Sequence, residues 1–379
     1  MHIALITRVF SPAHGGLERY QANLARQLAD RGCRVTVYAR QGVPDPLAGG
    51  ELILVTPRFE APRHRHVHFA HAVAKKLRER RYDCILANTP FYPCQVHRAG
   101  GGLNAFWYRL KVRELGWRYW VTRQLPKYRS ALTLERRIYD PAQVGHQIAN
   151  SQMVKDQIIA HYHFPSQRVH RIANGIDFNY FDGDWCRRER KNQRQAMGVS
   201  DQDLFILCVT NNFRRKGVGT IIDALSRART RAHVKLMVVG RGKPLERHPQ
   251  VRFHGHQQNI RPYYAAADCL VLPTLYEPCS NSVLEAMACG VVPVTTPTNG
   301  ASEFIRQGRN GYILESWRDA QGLAEILDQL QAHPQQRNEI AAEARASVGH
   351  LTLAGNAAQV LDVCRTAARG KAAPAEDHS

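Results

Sequence analysis

Two carboxylates and one basic run carry most of the chemistry that this sequence can offer. Glu277 and Glu285 stand eight residues apart in Tyr276-Glu277-Pro278-Cys279-Ser280-Asn281-Ser282-Val283-Leu284-Glu285-Ala286-Met287-Ala288-Cys289-Gly290. The first falls in a loop before a predicted helix at 281–289, the second about one turn inside it. The unpaired amides at the start of such a helix, around Ser280 to Val283, and its dipole suit an oxygen-rich or anionic ligand. Two carboxylates at this spacing can accept hydrogen bonds from a polyol such as ribose or a hexose. A capping acid followed by a solvated helical glutamate has the same spacing.

The run Thr210-Asn211-Asn212-Phe213-Arg214-Arg215-Lys216-Gly217 follows a predicted strand and opens a helix. Cations in that position beside a glycine can hold a diphosphate without a metal, although a solvated basic loop has the same composition. Gly15-Gly16 follows the first strand, where paired glycines permit close backbone approach or simply a tight turn. The sequence there is not G-x-G-x-x-G, and the second strand ends Tyr38-Ala39-Arg40 without an acid, which argues against a nicotinamide enzyme. Asp182-Gly183-Asp184 reads as a turn. His64, His66, His68 and His71 are interleaved with Arg63 and Arg65, so a basic loop entering a helix is favoured over a metal site. Arg98-Ala99-Gly100-Gly101-Gly102 fits either a phosphate cradle or a flexible loop.

The elements that must position these residues alternate in the manner of parallel βαβ units. The first half reads as strand 2–10, helix 17–31, strand 33–40, strand 51–56, helix 67–80, strand 83–88, an aromatic-basic helical region at about 103–138, strand 144–149, helix 151–163 and strand 169–173. Residues 178–200 are polar and basic without a sustained apolar face, and read as an inter-domain linker. The second half reads as strand 204–209, a helix from about 217, strands 234–239 and 251–254, helix 260–267, strand 269–273, helix 281–289, strand 291–295 and helices from about 318 to 347. The expected architecture is α/β: two Rossmann-like doubly wound domains facing across a cleft. Residues 1–178 would form an N-terminal domain carrying the insert at 103–138, and residues 179–352 a C-terminal domain. A helix at 353–369 would return to the N-terminal domain, followed by a disordered tail at 370–379.

Composition narrows the function further. With 379 residues and 52 Lys+Arg against 32 Asp+Glu, the formal net charge is +20, which implies an anionic partner: nucleic acid, anionic lipid or a phosphorylated substrate. An apolar share of 44% and a charged share of 22% exclude disorder and coiled coil. No apolar run approaches a membrane span of roughly 18 residues. Met1-His2-Ile3-Ala4-Leu5-Ile6 reads as a first strand rather than a leader. Nine cysteines without C-x-x-C pairs suggest neither a disulfide framework nor a zinc knuckle, and so a reducing cytoplasm.

In this order and spacing, Gly15-Gly16, Phe213-Arg214-Arg215-Lys216-Gly217 and the E-x7-E pair Glu277/Glu285 with its following Glu-Ala-Met-Ala-Cys-Gly resemble a retaining nucleotide-sugar glycosyltransferase of the GT-B fold. Within that family the chain is similar to the lipopolysaccharide core glucosyltransferase I group, which shares the F-x-R-K-G-V run and a basic aromatic insert. The resemblance implies that Arg215 and Lys216 grip the donor pyrophosphate and neutralise the departing nucleoside diphosphate, with Asn212 close by. It implies that Glu285 binds ribose hydroxyls and Glu277 the hydroxyls of the transferred sugar. Amides from Cys279 through Ser280 and Asn281 to Ser282 would contact the sugar, and Gly15 and Gly16 would face the diphosphate. No metal or other cofactor is implied, and the reaction would be front-face attack assisted by the donor phosphate. Many relatives carry Asp and His where this chain has Gly101 and Asn104. That leaves His97 and Asn104 as acceptor-side candidates, and Cys279-Ser280 replaces the common Phe-Gly.

The partners so implied are a UDP-sugar donor, a lipopolysaccharide inner-core acceptor and an anionic membrane surface, on the inner face of a bacterial inner membrane. A lipid-linked or exopolysaccharide precursor would suit the same motifs. A basic nucleic-acid-binding protein is the reading of another class, but the sequence contains no recognition motif for it. The segment from Leu103 to Ile138 places three of the five tryptophans, Trp107, Trp117 and Trp120, beside Arg109, Lys111, Arg113, Arg118, Arg123, Lys127 and Arg129. A helix of that composition can lie in a headgroup boundary, or pack its aromatic residues on the domain with its arginines in water.

Overall fold

A computed structural model describes residues 1–11, 16–43, 50–57, 65–122, 125–242 and 248–370. Gly15, His64, Arg123 and the tail at 371–379 lie outside the described residues, as do the side chains of His66 and Lys127. The chain divides into two compact units: Met1–Gly175 together with the chain from Leu353 onward, and Ile176–Thr352.

In the first unit the order is β1 (His2–Phe10), α1 (Gly16–Asp30), β2 (Arg34–Gly42), β3 (Gly50–Leu54), α2 (Arg65–Leu77), β4 (Cys84–Ala87), β5 (Cys94–Arg98), α3 (Asn104–Leu115), α4 (Arg118–Thr122), α5 (Pro126–Ile138), β6 (Val144–Ala149), α6 (Gln152–Tyr162) and β7 (Val169–Arg171). The seven strands are parallel in the order β3-β2-β1-β4-β5-β6-β7. Successive residues of β1 serve opposite faces: Ile3 and Leu5 join one buried cluster, Ala4 and Ile6 another. A strand covered on both sides reads as an unbroken apolar run, which is why β1 was legible without alternation.

The second unit contains α7 (Gly183–Ala196), β8 (Leu204–Val209), α8 (Val218–Arg227), β9 (Val234–Val239), β10 (Val251–Phe253), α9 (Arg261–Ala266), β11 (Cys269–Leu272), α10 (Asn281–Ala288), β12 (Val292–Thr295), β13 (Tyr312–Ile313), α11 (Ala320–Ala332) and α12 (Pro334–Val348). Its sheet is also parallel, in the order β10-β9-β8-β11-β12-β13. The strand order therefore reverses between β8 and β11, and in open α/β sheets ligands bind beyond the carboxyl ends of the strands at that point. The last helix, α13 (Leu353–Arg369), packs Val360, Leu361 and Cys364 into the first unit's core with Leu5 and Leu24, and Asn356 donates to the Ala173 carbonyl at 2.6 Å.

Three expectations need correction. Residues 178–200 are not a linker, since most of them form α7, whose Arg190 and Arg194 face inward. Arg194 is 3% exposed and donates to Asp268 at 3.0 Å and to the carbonyls of Ser200, Asp203 and Ala266. Arg190 reaches the other Asp268 oxygen at 2.5 Å, Arg337 of α12 pairs with it at 3.3 Å, and the Phe205 amide donates to Asp268 at 2.7 Å. A helix held by buried ion pairs carries no apolar stripe for periodicity to detect. The aromatic-basic region is three helices rather than one, broken at Gly116, whose φ of 99° favours glycine. Strands β5 and β13 were not expected: β5 contains the polar Gln95, His97 and Arg98, and β13 has only two residues.

Burial pushes the Asp268 carboxyl up, but Arg190, Arg337 and Arg194 overcome this and hold it below the usual aspartate value. Asp268→Ala would leave three cations without their counter-charge, two of them nearly enclosed. We expect it to cost about 3–5 kcal/mol, measured by urea unfolding. Because the folded pKa is depressed, this stabilisation is present above the unfolded aspartate pKa of about 3.9 and is lost as pH falls through the folded value. The wild-type advantage over the mutant should therefore shrink below about pH 4 and not near neutrality.

Candidate active site

The loop after β8 is a tight turn held by its own polar groups. Thr210 Oγ1 accepts the Asn212 amide at 3.0 Å, Asn212 Oδ1 accepts the Arg215 amide at 3.0 Å, and the Asn212 carbonyl accepts the Lys216 amide at 3.0 Å. Gly217 completes it with φ +70°, and a Cβ there would lie 2.1 Å from the Pro273 carbonyl oxygen. The backbone at this point must therefore be glycine to let the β8 loop close against the end of β11. The Arg215 carbonyl then accepts the Leu275 amide at 2.8 Å and the Thr274 hydroxyl at 3.1 Å, which ties the two loops together across the switch point.

On the β11 side, the Glu277 amide donates to Thr298 at 3.0 Å and its carbonyl accepts the Gly300 amide at 2.8 Å. So fixed, Glu277 Oε2 receives both cations of the opposite loop: the Lys216 ammonium in direct contact and Arg215 Nη2 at 3.5 Å. Lys216 is buried and Glu277 is largely so, while the Arg215 Nε is buried with no hydrogen-bond partner. Burial pushes the Glu277 carboxyl up, and Lys216 and Arg215 more than offset it, so the group stays ionised below the ordinary glutamate range. Two cations on one carboxylate leave a local surplus of one positive charge, with an unused guanidinium donor.

Eight residues on, Glu285 lies within α10, where Tyr264 of α9 donates to Oε2 at 2.8 Å. Asn299 orders the loop before α10: its Oδ1 accepts the Ser280 amide at 3.1 Å and its Nδ2 donates to Thr295 Oγ1 at 2.9 Å. The Ser280 and Ser282 hydroxyls bond each other at 2.9 Å, so Ser280 stands at the helix start without capping an amide through its side chain. Cys279 is buried and Asn281 half-buried. The second unit thus brings Asn212, Arg215, Lys216, Glu277, Cys279, Ser280, Asn281, Ser282 and Glu285 onto two adjoining loops and one helix start. Tyr264, Thr274 and Asn299 were not singled out from sequence. The available signal was a polar residue placed at a strand end or on a short helix beside the motif.

The first unit treats its candidates differently. Gly16 begins α1. His97 is not available to an acceptor from this position: it is 3% exposed, its Nδ1 bonds Gln147 Oε1 at 2.9 Å, and burial lowers its pKa to about 4, so it is a neutral core histidine. Asn104 opens α3, and Glu135 of α5 accepts the Asn104 amide at 2.5 Å and the Ala105 amide at 2.9 Å in place of a cap. Arg98 is not a loop cation. Its guanidinium is buried 3.9 Å from the Tyr20 ring centroid and donates to Asn174. Beside it in the sheet, both amide atoms of Asn88 after β4 and Oδ1 of Asn150 after β6 are buried without partners, as is Arg98 Nε. Such groups call for a water or a ligand hydroxyl.

Of the proposed membrane residues, Trp117 is 73% exposed and Trp120 56%, with Val121 and Leu125 also exposed and Arg109, Arg113 and Arg118 on the surface. Trp107 and Lys111 are half-buried, with the ammonium 4.7 Å from the indole centroid and also facing the rings of Tyr108, Tyr119 and Tyr128. Arg113 pairs with Glu114 at 2.8 Å. No described helix is long and apolar enough to cross a membrane.

Comparison with known proteins matches both halves of the chain. Residues 14–180 fit the model of Glycosyltransferase Family 4 and residues 204–333 that of Glycosyl transferases group 1. The lipopolysaccharide glucosyltransferase WaaG of Escherichia coli (strain K12) is 26% identical over 328 residues, covering 83% of this chain and 85% of that protein. The lipopolysaccharide core biosynthesis glycosyltransferase LpsE of Rhizobium meliloti (strain 1021) is 33% identical over 151 residues, 37% of this chain and 42% of that one. Among solved structures, WaaG superposes with a TM-score of 0.82 at 23% identity over 96% of this chain and 99% of that chain. Alr3699/HepE of Anabaena, in complex with UDP-glucose, superposes with a TM-score of 0.73 at 20% identity over 97% and 100%.

The Gly217 turn is the backbone on which this cluster depends. Gly217→Ala meets a left-handed φ, costing about 1–2 kcal/mol, and a carbonyl in contact with the new methyl, costing about 1–3 kcal/mol more. We expect a total loss near 3 kcal/mol in chemical unfolding. A loss under about 1 kcal/mol would show that the β8 and β11 loops close without this constraint.

Proposed function

The chain belongs to the GT-B glycosyltransferases, and on that footing we propose that it moves a hexose, in our reading glucose, from a UDP-sugar to a lipopolysaccharide inner-core acceptor with retention of anomeric configuration. The observation that carries the reading is the Lys216–Glu277–Arg215 cluster at the switch point of the second unit, with Glu285 a short helix away. Its surplus positive charge is matched to a diphosphate, which needs cations most when it leaves and gains charge. The names of WaaG and LpsE support the acceptor class, and HepE with UDP-glucose supports the donor.

In the proposed step the bond from the sugar anomeric carbon to the diphosphate oxygen breaks, and the electron pair leaves with UDP. Arg215 and Lys216 stabilise that charge in place of a divalent metal. The acceptor hydroxyl adds to the same face of the sugar and its proton passes to the departing phosphate oxygen. Glu277 accepts hydroxyl hydrogen bonds from the sugar while holding the two cations, the amides of Cys279 to Ser282 orient that sugar, and Glu285 accepts the ribose hydroxyls. Sugar contacts strengthen as positive charge develops on the ring, whereas ribose contacts are alike in ground and transition states.

The enzyme would work at a membrane surface. Trp117 and Trp120 present amphipathic rings and Arg109, Arg113 and Arg118 supply charge for anionic headgroups, each cation adding about 1 kcal/mol near the surface.

Arg215→Ala or Lys216→Ala is expected to lower transfer from UDP-glucose by about 100-fold or more, the usual effect of removing a transition-state charge partner. Turnover should persist in EDTA. Near-normal rates in both variants, or loss on chelation that Mg²⁺ restores, would overturn the role given to these cations. Sedimentation with vesicles is expected to bring the protein down with anionic rather than zwitterionic lipid. Trp117→Ser/Trp120→Ser and a variant with Arg109, Arg113 and Arg118 changed to Gln should each reduce the bound fraction severalfold. Binding retained in full by both variants would make the segment purely structural.

A further inference from the structure

Two thiols of the second unit meet where the start of α7 packs on the end of α10. Gly183 opens α7, and a Cβ there would lie 3.0 Å from the Ala288 carbonyl oxygen, so the two backbones approach closely. Cys186 stands three residues on, on the same helix face, and Cys289 follows Ala288 directly as the C-cap of α10. The Cys289 thiol donates a hydrogen bond to the Cys186 sulfur. Neither side chain takes part in the transfer step proposed above. Two thiols so placed need only an oxidant to become a disulfide.

The surroundings make the two sulfurs unequal. The hydrogen bond from Cys289 draws the Cys186 thiol below its ordinary pKa against burial and Asp182, and Arg261 and Arg345 add to that pull. Burial and the same bond push Cys289 well above its usual value, so it keeps its proton. The Arg261 guanidinium lies 3.8 Å from the ring centroid of Trp185, the residue before Cys186, and its Nε is buried without a hydrogen-bond partner. A thiolate would give that cation a counter-charge. Thiolates beside a cation and a second thiol are the ones that oxidise reversibly. Cys84 and Cys364 of the first unit provide the contrast. They also hydrogen-bond, but both are fully enclosed, and no guanidinium among the described residues acts on Cys364. Cys186 and Cys289 keep 3% and 5% exposure, an edge that only a small oxidant can reach.

We propose that Cys186 and Cys289 form a redox site at which hydrogen peroxide produces a reversible disulfide that weakens donor binding. The Cys186 thiolate attacks one peroxide oxygen, the O–O bond breaks, and the hydroxide that leaves takes up the proton the thiol had released. The Cys289 sulfur then displaces hydroxide from the sulfenic acid, and its own proton completes a second water. Two thiols are oxidised, the peroxide is reduced to two waters, and a dithiol restores the pair by exchange. A disulfide holds its sulfurs about 2.05 Å apart, closer than a hydrogen bond allows. Arg190 and Arg194 anchor α7 to Asp268, so closing that gap draws on the end of α10. In that last turn the Glu285 carbonyl accepts the Cys289 amide at 3.0 Å. Glu285 is the residue assigned to the ribose, so the effect on the donor rests on the transferase reading, whereas the oxidation itself does not.

The test treats the reduced full chain with hydrogen peroxide, maps linked peptides by mass spectrometry and titrates UDP by calorimetry. The proteins are wild type, Cys186→Ala, Cys289→Ala and Cys84→Ala, each checked for folding by thermal melt. Wild type is expected to gain a Cys186–Cys289 link before any Cys84–Cys364 link. It should then bind UDP about 5-fold more weakly, with dithiothreitol reversing both changes. Cys186→Ala and Cys289→Ala should bind UDP alike before and after peroxide, whereas Cys84→Ala should respond as wild type does. Dimedone, which traps sulfenic acids, should label Cys186 in Cys289→Ala and leave Cys289 unlabelled in Cys186→Ala. Absence of the Cys186–Cys289 link in wild type, equally fast linkage of Cys84 to Cys364, or unchanged UDP affinity in the linked protein would overturn the proposal. Wild type is its own control on reduction, so a variant that fails to fold does not remove the decision. Failure of reduced wild type to bind UDP would remove the donor reading, while the mapped link still decides the redox site.

Discussion

One carboxylate, Glu277, lets two cations stand at the switch point of the second unit. Lys216 is only 7% exposed, and an ammonium so enclosed would ordinarily lose its proton or swing out to water. Glu277 Oε2 contacts it directly and also faces Arg215, so both charges are retained where the β8 and β11 loops meet. The other features of the site serve this contact. Gly217 permits the close approach, the Arg215 carbonyl joins the loops through Leu275 and Thr274, and Thr298 and Gly300 fix the Glu277 backbone. An incoming diphosphate need not create a positive site. It has to share one already assembled, and the reorganisation avoided is what makes preorganised charge effective in a transition state.

The same strand carries a second buried carboxylate at its other end, and the contrast separates structure from function. Asp268 precedes β11 and is surrounded by Arg190, Arg194, Arg337 and the Phe205 amide. All three arginines also donate to backbone carbonyls, Arg190 to Ala267, Arg194 to three more and Arg337 to Leu330, so the cluster holds α7 and α12 to the sheet. Glu277 follows β11, at the carboxyl end where ligands bind, and Arg215 Nε there, like Arg337 Nε beside Asp268, is buried without a hydrogen-bond partner. Net charge and burial alone would rank the two sites alike. Position along a parallel strand distinguishes them.

Sequence reasoning succeeded where chemistry and periodicity coincide. Strands such as Leu204–Val209 and Val234–Val239 are unbroken apolar runs because both sheet faces are covered, and the motifs stand directly after their strands. It failed where polar groups do the packing. Helix α7 looked like a linker because Arg190 and Arg194 replace an apolar stripe. Strand β5 was unseen because His97 and Arg98 are polar, yet both are buried, His97 against Gln147 and Arg98 against Asn174 and the Tyr20 ring. The pairing of Glu277 with Arg215 and Lys216 could not be read either, since 61 residues separate Lys216 from Glu277 and only the β8–β11 adjacency joins them.

That internal use of arginine changes what the +20 charge means. Arg98, Arg168, Arg190, Arg194 and Arg337 are occupied inside the two units, Arg168 alone donating to the carbonyls of Gly145, Pro141 and Val144. These charges raise the isoelectric point without presenting a field to an approaching partner. The cations that do face outward are spread over both units, among them Arg78, Arg81, Arg188, Arg229 and Arg231, as well as Arg109, Arg113 and Arg118 in the segment of Trp117 and Trp120. A nucleic-acid binder would spread such charge along one continuous track with stacking rings between. Here exposed aromatic rings stand beside that charge only at Trp117 and Trp120 among the described residues, an arrangement that suits a headgroup boundary better than a strand of stacked bases.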